Sequence, residues 1–341
     1  MPISIIFTGA TGLIGASVLQ IISKDPKYDI TVLTRSEEKA QKIVELSGVK
    51  TIVGSLEDTE LLTSTAANSD VVFHIADAFH IPATNAFLAG AKKRFEATGK
   101  APIYIHTSGT GIWADIAANG AAPSGKVTKD TDSDLVATYN ALPHTAPAKI
   151  VQEAAVAGYV KTFTIYPSTI WGEPKGPFFE SGLAHVGSIQ LPMAIKASLG
   201  RGQGGVVGEG LNVWNHVHIV DVAVFFATLL AKAVDGSAPS GAVEGHYIIE
   251  NGTYQYFKLA QIYTEALYAK GKSSSPEPTK FAQEELEAIP FLFALGSNST
   301  TAGPRARSLG WAPKYTTEDF YAWVPKEVDA AISGKLSAGV Y

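Results

Sequence analysis

Cysteine is absent from the 341-residue chain. That excludes disulfides, thiolate zinc sites and a cysteine nucleophile. No apolar stretch approaches the roughly 20 residues that a membrane-spanning helix needs. Basic runs are also missing. With 27 Lys+Arg against 32 Asp+Glu the net charge is −5, and nothing gathers cations for a nucleic-acid backbone. No internal repeat interrupts the pattern, and no targeting segment is expected before the first apolar run, so the expected compartment is the cytoplasm. These absences leave a small-molecule substrate as the expected partner, with no nucleic acid, no membrane and no metal, and a homodimer as the assembly to test. Hydrophobic residues make up 46% of the chain, ample for a large core or two modest ones.

Strand and helix patterns alternate through the first half. Apolar runs at Ile3-Ser4-Ile5-Ile6-Phe7, Asp29 to Leu33, Val49 to Val53, Asp70 to Ile75, Pro102 to Thr107 and Thr162 to Tyr166 read as strands. Helical patterns fall at 36–46, 58–67, 82–98 and 147–158. Such alternation implies an α/β fold, a doubly wound parallel sheet with helices on both faces. The stretch 109–145 breaks the rhythm and reads as a long functional or mobile loop. Beyond it, strands are expected at Val217 to Val220 and Tyr247 to Glu250, with Asp221 capping a helix to about 232. Further helices are expected near 187–199, 256–270, 281–294 and 317–332. The expected division is a dinucleotide-binding domain over 1–170, with 213–250 returning to it. A smaller α+β substrate-binding region takes 171–212 and 251–341.

Between the first strand and the first helix lies Thr8-Gly9-Ala10-Thr11-Gly12-Leu13-Ile14-Gly15. Strand, glycine turn and helix are the context of a dinucleotide site. Gly9 permits the tight turn, Gly12 lets a pyrophosphate approach the backbone, and Gly15 lets the helix pack on the strand. The helix then aims its free N–H groups at the phosphates. At the end of the second strand stands Leu33-Thr34-Arg35-Ser36, with no acid to accept from a ribose 2′-OH. Arg35 offers a forked contact to a 2′-phosphate and Ser36 a hydroxyl, so the reading is NADP(H).

The T-G-A-T-G turn and its G-x-x-G-x-x-G spacing resemble the short-chain dehydrogenase/reductases, more narrowly their extended, epimerase/dehydratase-like branch. Gly54-Ser55-Leu56-Glu57-Asp58 is similar to the family's adenine-lining G-D-L-x-D, with Ser55 in place of the acid. His74-Ile75-Ala76 is similar to the H-x-A beside the ribose and pyrophosphate. Tyr166-Pro167-Ser168-Thr169-Ile170-Trp171-Gly172 resembles the stretch holding the nicotinamide end, and Val213 to Ala223 resembles the later F-I-H-V-D-D-V-A. The resemblance thus implies a cofactor site of Gly9, Thr11, Gly12, Leu13, Ile14, Gly15, Arg35, Ser36, Ser55, Leu56, Ile75, Ala76, Thr107, Lys149, Tyr166, Pro167 and Ile170.

It also implies catalysis by a serine after the fifth strand plus Tyr-x-x-x-Lys on the next helix. Ser108 supplies the first and Lys149 the last, but Thr145 stands where the tyrosine belongs. An aliphatic hydroxyl is far less acidic than a phenol of pKa about 10. Tyr139, folding over the nicotinamide, His144, titrating near neutrality, and Ser108 with an ordered water are the candidate replacements. His216 and His218 share one strand face but lack a partner carboxylate at metalloenzyme spacing. Trp113, Trp171, Phe178 and Phe179 are candidates to line an apolar substrate pocket. The leading expectation is an NADPH-dependent oxidoreductase that reduces a carbonyl of a small, fairly apolar metabolite. Two alternatives stay open: a sugar-nucleotide epimerase or dehydratase, and a non-catalytic NADP(H)-sensing regulator.

Overall fold

The computed structural model describes residues 2–289 and 292–335. Seven strands form its central sheet: β1 Ile3–Phe7, β2 Tyr28–Thr34, β3 Lys50–Val53, β4 Val71–His74, β5 Ile103–Thr107, β6 Lys161–Pro167 and β7 His246–Ile249. Their order is β7-β6-β5-β4-β1-β2-β3, and every neighbouring pair is parallel. This is the doubly wound sheet that the alternation implies. The order reverses between β1 and β4, so a crevice opens outside their carboxyl ends, where such sheets bind ligands.

Strands buried on both faces read as unbroken apolar runs. In β1, Ile5 and Phe7 face one layer and Ile6 the other. The first layer packs α1 (Leu13–Ile22) and α6 (Ile219–Val234) against Phe73, Ile105 and Phe163. The second packs α3 (Thr59–Ala67), α4 (Ile81–Thr98) and α5 (Thr145–Ala157) against Val72 and Tyr104. The remaining helix of the sheet layers, α2 (Glu37–Ser47), starts at Ser36, whose hydroxyl accepts from the Lys39 amide at 3.3 Å. Among the described residues, no helix is long and apolar enough to cross a membrane.

A second core joins the helices Gln190–Arg201, Tyr256–Ala269 and Thr317–Ile332 through Leu191, Ile195, Tyr263, Leu267, Phe320 and Val324. Beside it, Thr169–Trp171, Val213–His218 and Thr253–Gln255 form a separate three-stranded sheet. The strand expected at 217–220 is therefore Val213–His218, and it does not enter the central sheet. Of the stretch 213–250, α6 and β7 supply the sheet layers.

Three further expectations are corrected. Asp221 does not cap α6; His218 does, its Nδ1 accepting from the Val220 amide at 3.1 Å. The Asp221 carboxylate instead receives the amides of Lys314 and Tyr315, docking the segment before the last helix. Residues expected to form one helix over 281–294 divide into the short helix Gln283–Ala288 and the 3₁₀ turn Leu292–Gly296, with 290–291 outside the described residues. The stretch 109–145 is not a free loop. Its Thr128–Lys129 pairs with Thr301–Ala302, and Asp115 exchanges backbone bonds with Asn298. Fully buried Asp130 accepts the amides of Ile248, Arg305 and Ala306 at 2.9–3.2 Å. Nothing local in sequence marks Asp130, because all three donors lie more than a hundred positions away.

Candidate active site

The glycine turn separates what the chain requires from what a ligand requires. Gly9 sits at φ +82°, and a Cβ there would lie 2.9 Å from the Ala76 nitrogen. A Cβ on Gly15 would lie 2.0 Å from the Gly9 carbonyl oxygen. The fold itself demands both glycines. Gly12 would meet only the Gly9 oxygen, at 3.4 Å, so the chain leaves space there. Gly12 begins α1 with no side chain capping it, and the positive end of a ten-residue helix is left to something outside the chain. These features fit a pyrophosphate. Thr8, which motif spacing does not single out, fixes the turn: its hydroxyl accepts from the Ile75 and Ala76 amides and reaches the Phe73 carbonyl.

At the end of β2, Arg35 is exposed and has no ion-pair partner among the described residues. Glu38, the nearby acid, pairs with Lys42 at 2.8 Å. Beyond β3, the Ser55 amide donates to Asp58 at 2.6 Å, and Leu56 packs half-buried against the core. His80, also unmarked in sequence, caps α4 through Nδ1 and so donates from Nε2 to Glu57.

The end of β5 is different in kind. The Ser108 amide is fixed to the Ile165 carbonyl at 2.8 Å, but its hydroxyl is buried with no hydrogen-bond partner among the described residues. Thr107 Oγ1, Thr110 Oγ1, His144 Nδ1 and both ring nitrogens of His106 share that condition. Buried polar atoms left unpaired are costly, and such a concentration marks a place that something else completes. His144 lies along the turn after Ser108: a Cβ on Gly109 would be 3.5 Å from its Nε2, and one on Gly111 3.5 Å from its Cε1. Its ring meets Phe79 edge-on at 4.5 Å. Burial lowers its pKa to about 4, so it is neutral at pH 7 rather than titrating near neutrality as expected. Thr145 donates to the Asn140 carbonyl at 2.7 Å, so its proton is spent on the backbone. Lys149, one turn further along α5, is exposed and has no ion-pair partner among the described residues.

Tyr139 does not lie open over the crevice. It packs against Trp113 and hydrogen bonds to Tyr166, which bonds to His246 Nδ1 at 2.8 Å. His246 Nε2 faces the Ala242 carbonyl, which can only accept. The chain of bonds therefore has one direction: Tyr139 donates to Tyr166, Tyr166 to His246, and His246 to Ala242. The Tyr139 proton points inward, and burial raises its pKa well above the usual phenol range. Tyr166 is 0% exposed, so its side chain does not face the crevice as a cofactor contact would. Pro167 is buried with its carbonyl near Gly109, and Ile170 packs half-buried on the first core.

The expected apolar lining is reduced. Phe178 and Phe179 are core residues, and Trp171 is buried against His218 and Phe320; Trp113 remains half-buried beside Tyr139. His216 accepts from Trp171 Nε1 and donates to Thr317, while His218 stacks on Tyr315 at 3.6 Å.

Glycine turn, uncapped helix and switch point define a Rossmann-type dinucleotide-binding protein. The chain belongs to the NAD dependent epimerase/dehydratase family, which matches residues 5–244. The family's cofactor class is nicotinamide dinucleotide. Oxidase ucsJ of Acremonium sp is 29% identical over 331 residues, covering 92% of this chain and 93% of that protein. An uncharacterized protein of Saccharomyces cerevisiae is 24% identical, covering 91% and 94%. Among solved structures, the UDP-glucose 4-epimerase of Thermotoga maritima, bound to UDP-glucose, aligns with a TM-score of 0.63 at 17% identity, covering 97% of this chain and 100% of that one. The dTDP-glucose 4,6-dehydratase of Bacillus anthracis, bound to NAD, aligns at 0.61 and 15%, covering 96% of each. At these identities the likeness shows the fold, that of the extended short-chain dehydrogenase/reductases.

Proposed function

We propose that the protein is an NADP(H)-dependent oxidoreductase that interconverts a carbonyl and an alcohol on a small, fairly apolar metabolite, carbonyl reduction being the activity to assay first. The observation that carries this reading is the buried, unpartnered Ser108 hydroxyl at the carboxyl end of β5. A hydroxyl placed there can donate to a substrate oxygen as charge builds on it. In this reading Gly9, Thr11, Gly12, Leu13, Ile14 and Gly15 hold the pyrophosphate. Arg35 and Ser36 take the 2′-phosphate, and Ser55 and Leu56 meet the adenine. Ile75, Ala76, Thr107, Pro167 and Ile170 border the nicotinamide half, and Lys149 reaches its ribose. When bound, the nicotinamide supplies or accepts the hydride; the protein orients it and polarises the substrate.

Calorimetry with NADPH and NADH tests the cofactor form. NADPH is expected to bind at least about tenfold tighter, with Arg35→Ala erasing most of the difference, in line with a charge-assisted bond. Equal affinities in the unmutated protein reject the 2′-phosphate assignment. NADPH oxidation across aldehydes, ketones and diketones tests the chemistry, with Ser108→Ala expected to abolish turnover.

A sensor reading is favoured by one observation: Thr145 and Tyr139 both direct their protons into the protein. It requires dinucleotide binding without turnover. The sugar-nucleotide reading gains little, because Arg201, a candidate cation for a diphosphate, is held by Glu285 and donates to Thr279.

A further inference from the structure

We propose that His144 exchanges a proton with the substrate oxygen, acting across that oxygen from Ser108. The inference rests on the carbonyl–alcohol reading above and names the group that reading leaves open. Thr145 spends its hydroxyl on Asn140, and Tyr139 donates inward to Tyr166. His144 is spent on nothing. It precedes α5 without capping it, and its ring lies along the turn that follows Ser108, steadied by Phe79. Nδ1 is buried without a partner; Nε2 is not among the atoms so enclosed. Nε2 is therefore the nitrogen a substrate can reach.

The neighbours leave the ring uncharged. Phe79, Gly109 and Gly111 pack against it, and none carries a charge. His106, on β5 below Ser108, is itself held neutral by burial, its pKa far below the usual imidazole value. Desolvation alone lowers His144. At neutral pH it is a base with a free lone pair, which is the form an alcohol needs.

The step balances as follows. The alcohol O–H bond breaks and its proton goes to Nε2. The carbinol C–H bond breaks with its electron pair, the hydride passing to the oxidised nicotinamide, and C=O forms. Ser108 donates a hydrogen bond to the oxygen throughout. In the reverse direction the His144 imidazolium returns its proton to the oxygen while the carbon gains hydride. The neutral ring favours oxidation at pH 7, and reduction accelerates as the pH falls. For Nε2 to hold a lone pair, the resting proton must sit on Nδ1.

Three measurements on the full chain test this. Nitrogen-15 NMR of the dinucleotide-free protein is expected to show His144 as the Nδ1–H tautomer, titrating well below pH 6. An Nε2–H tautomer, or a titration near 6.5, overturns the proposal without any assay. His144→Gln is expected to bind NADPH within about twofold of the unmutated protein. It should lose about 10²-fold or more in kcat for secondary alcohols with NADP⁺, with KM little changed, the range of general acid–base catalysis. Added imidazole is expected to restore part of the rate to His144→Ala, which a packing role does not predict. Turnover within about threefold in His144→Gln while Ser108→Ala is dead overturns the His144 role and leaves the oxidoreductase reading standing. Loss in Tyr139→Phe with His144→Gln indifferent does the same and returns the role to the phenol. No turnover of any alcohol or ketone by the unmutated protein overturns both.

Discussion

The two ends of the proposed cleft differ in how their polar groups are satisfied. At the glycine turn, Thr8, Ser36, Asp58 and His80 all have partners within the chain. At the end of β5, Thr107, Ser108, Thr110, His106 and His144 all have atoms with none. The first end is preformed: hydrogen bonds within the chain and close glycine packing fix its backbone. The second is held in place by backbone bonds and packing, but its side chains are left to be completed by what enters.

Acid should break this contrast most severely, because histidines crowd the second end and the region behind it. His74 is lowered to about 3, His144, His216, His218 and His246 to about 4, and His106 well below the usual imidazole value, all chiefly by burial. The unfolded chain takes up these protons near pH 6.5 and the folded chain only well below that. Stability is therefore full above about 6.5 and lost as the pH falls toward 4, by about 1.4 kcal/mol per pH unit for each such group. Asp130, raised to about 6 by burial, works in the opposite sense: its contribution is present at low pH and lost as the pH rises through 6. Asp221 and Glu327 are raised by burial in the same sense, and three carboxylates do not offset six imidazoles. Urea denaturation is expected to show a collapse in midpoint between pH 7 and 5; a flat midpoint would contradict the burial of these rings.

Next in size is a contrast within the first end. Gly15→Ala puts a methyl 2.0 Å from the Gly9 oxygen and should cost about 3 kcal/mol of stability. Gly12→Ala meets only an ordinary contact and should cost under about 1 kcal/mol, the helix-terminus effects of glycine being small. Yet it should weaken dinucleotide binding strongly. Thermal melts with and without NADPH check both. Equal melting losses in the two variants would mean that Gly12 is a structural requirement rather than a ligand's.

The smallest effect sharpens the comparison from the other side. Thr145→Val removes a satisfied donor and should cost about 1 kcal/mol. Ser108→Ala removes an orphan and should cost nothing or stabilise slightly. A Ser108→Ala loss as large as that of Thr145→Val, read from denaturant midpoints, would mean that the Ser108 hydroxyl has a partner in the resting protein.

The fold was legible because its signals are local. Strands buried on both faces announce themselves as apolar runs, and the glycine turn sits whole within eight residues. The first end of the cleft was legible for the same reason. At the second, sequence alone singled out Ser108 and Lys149 but not the state of the groups around them. His144 looked like a near-neutral loop imidazole until Phe79, 65 positions earlier, came to lie against it. Tyr139 looked free until Tyr166 and His246 supplied its acceptors. Asp130 and Asn140 carried no motif at all, since each is defined by a partner and not by a spacing, and the role of Thr8 within its T-G-A-T-G turn is set by the distant Ile75 and Ala76 amides. The Asp221 misreading is instructive: acid before a helix suggests a cap, but His218 arrives first and frees the carboxylate for Lys314 and Tyr315.

Asp130 also sets an order of events. It reaches across 175 positions to the Arg305 amide, and Asp115, Gly120 and Thr128 likewise find their partners between 296 and 301. Closing so long a loop is slow relative to local pairing. The glycine turn takes the bonds of its Thr8 hydroxyl from the first 76 positions, with one later backbone bond from the His185 amide to the Thr11 carbonyl, and can assemble early, while the stretch carrying Tyr139 and flanking His144 cannot settle until the far segment docks. During folding there is accordingly an interval in which the dinucleotide cradle exists and the chemical end does not, so a refolding chain is expected to bind its cofactor before it regains turnover.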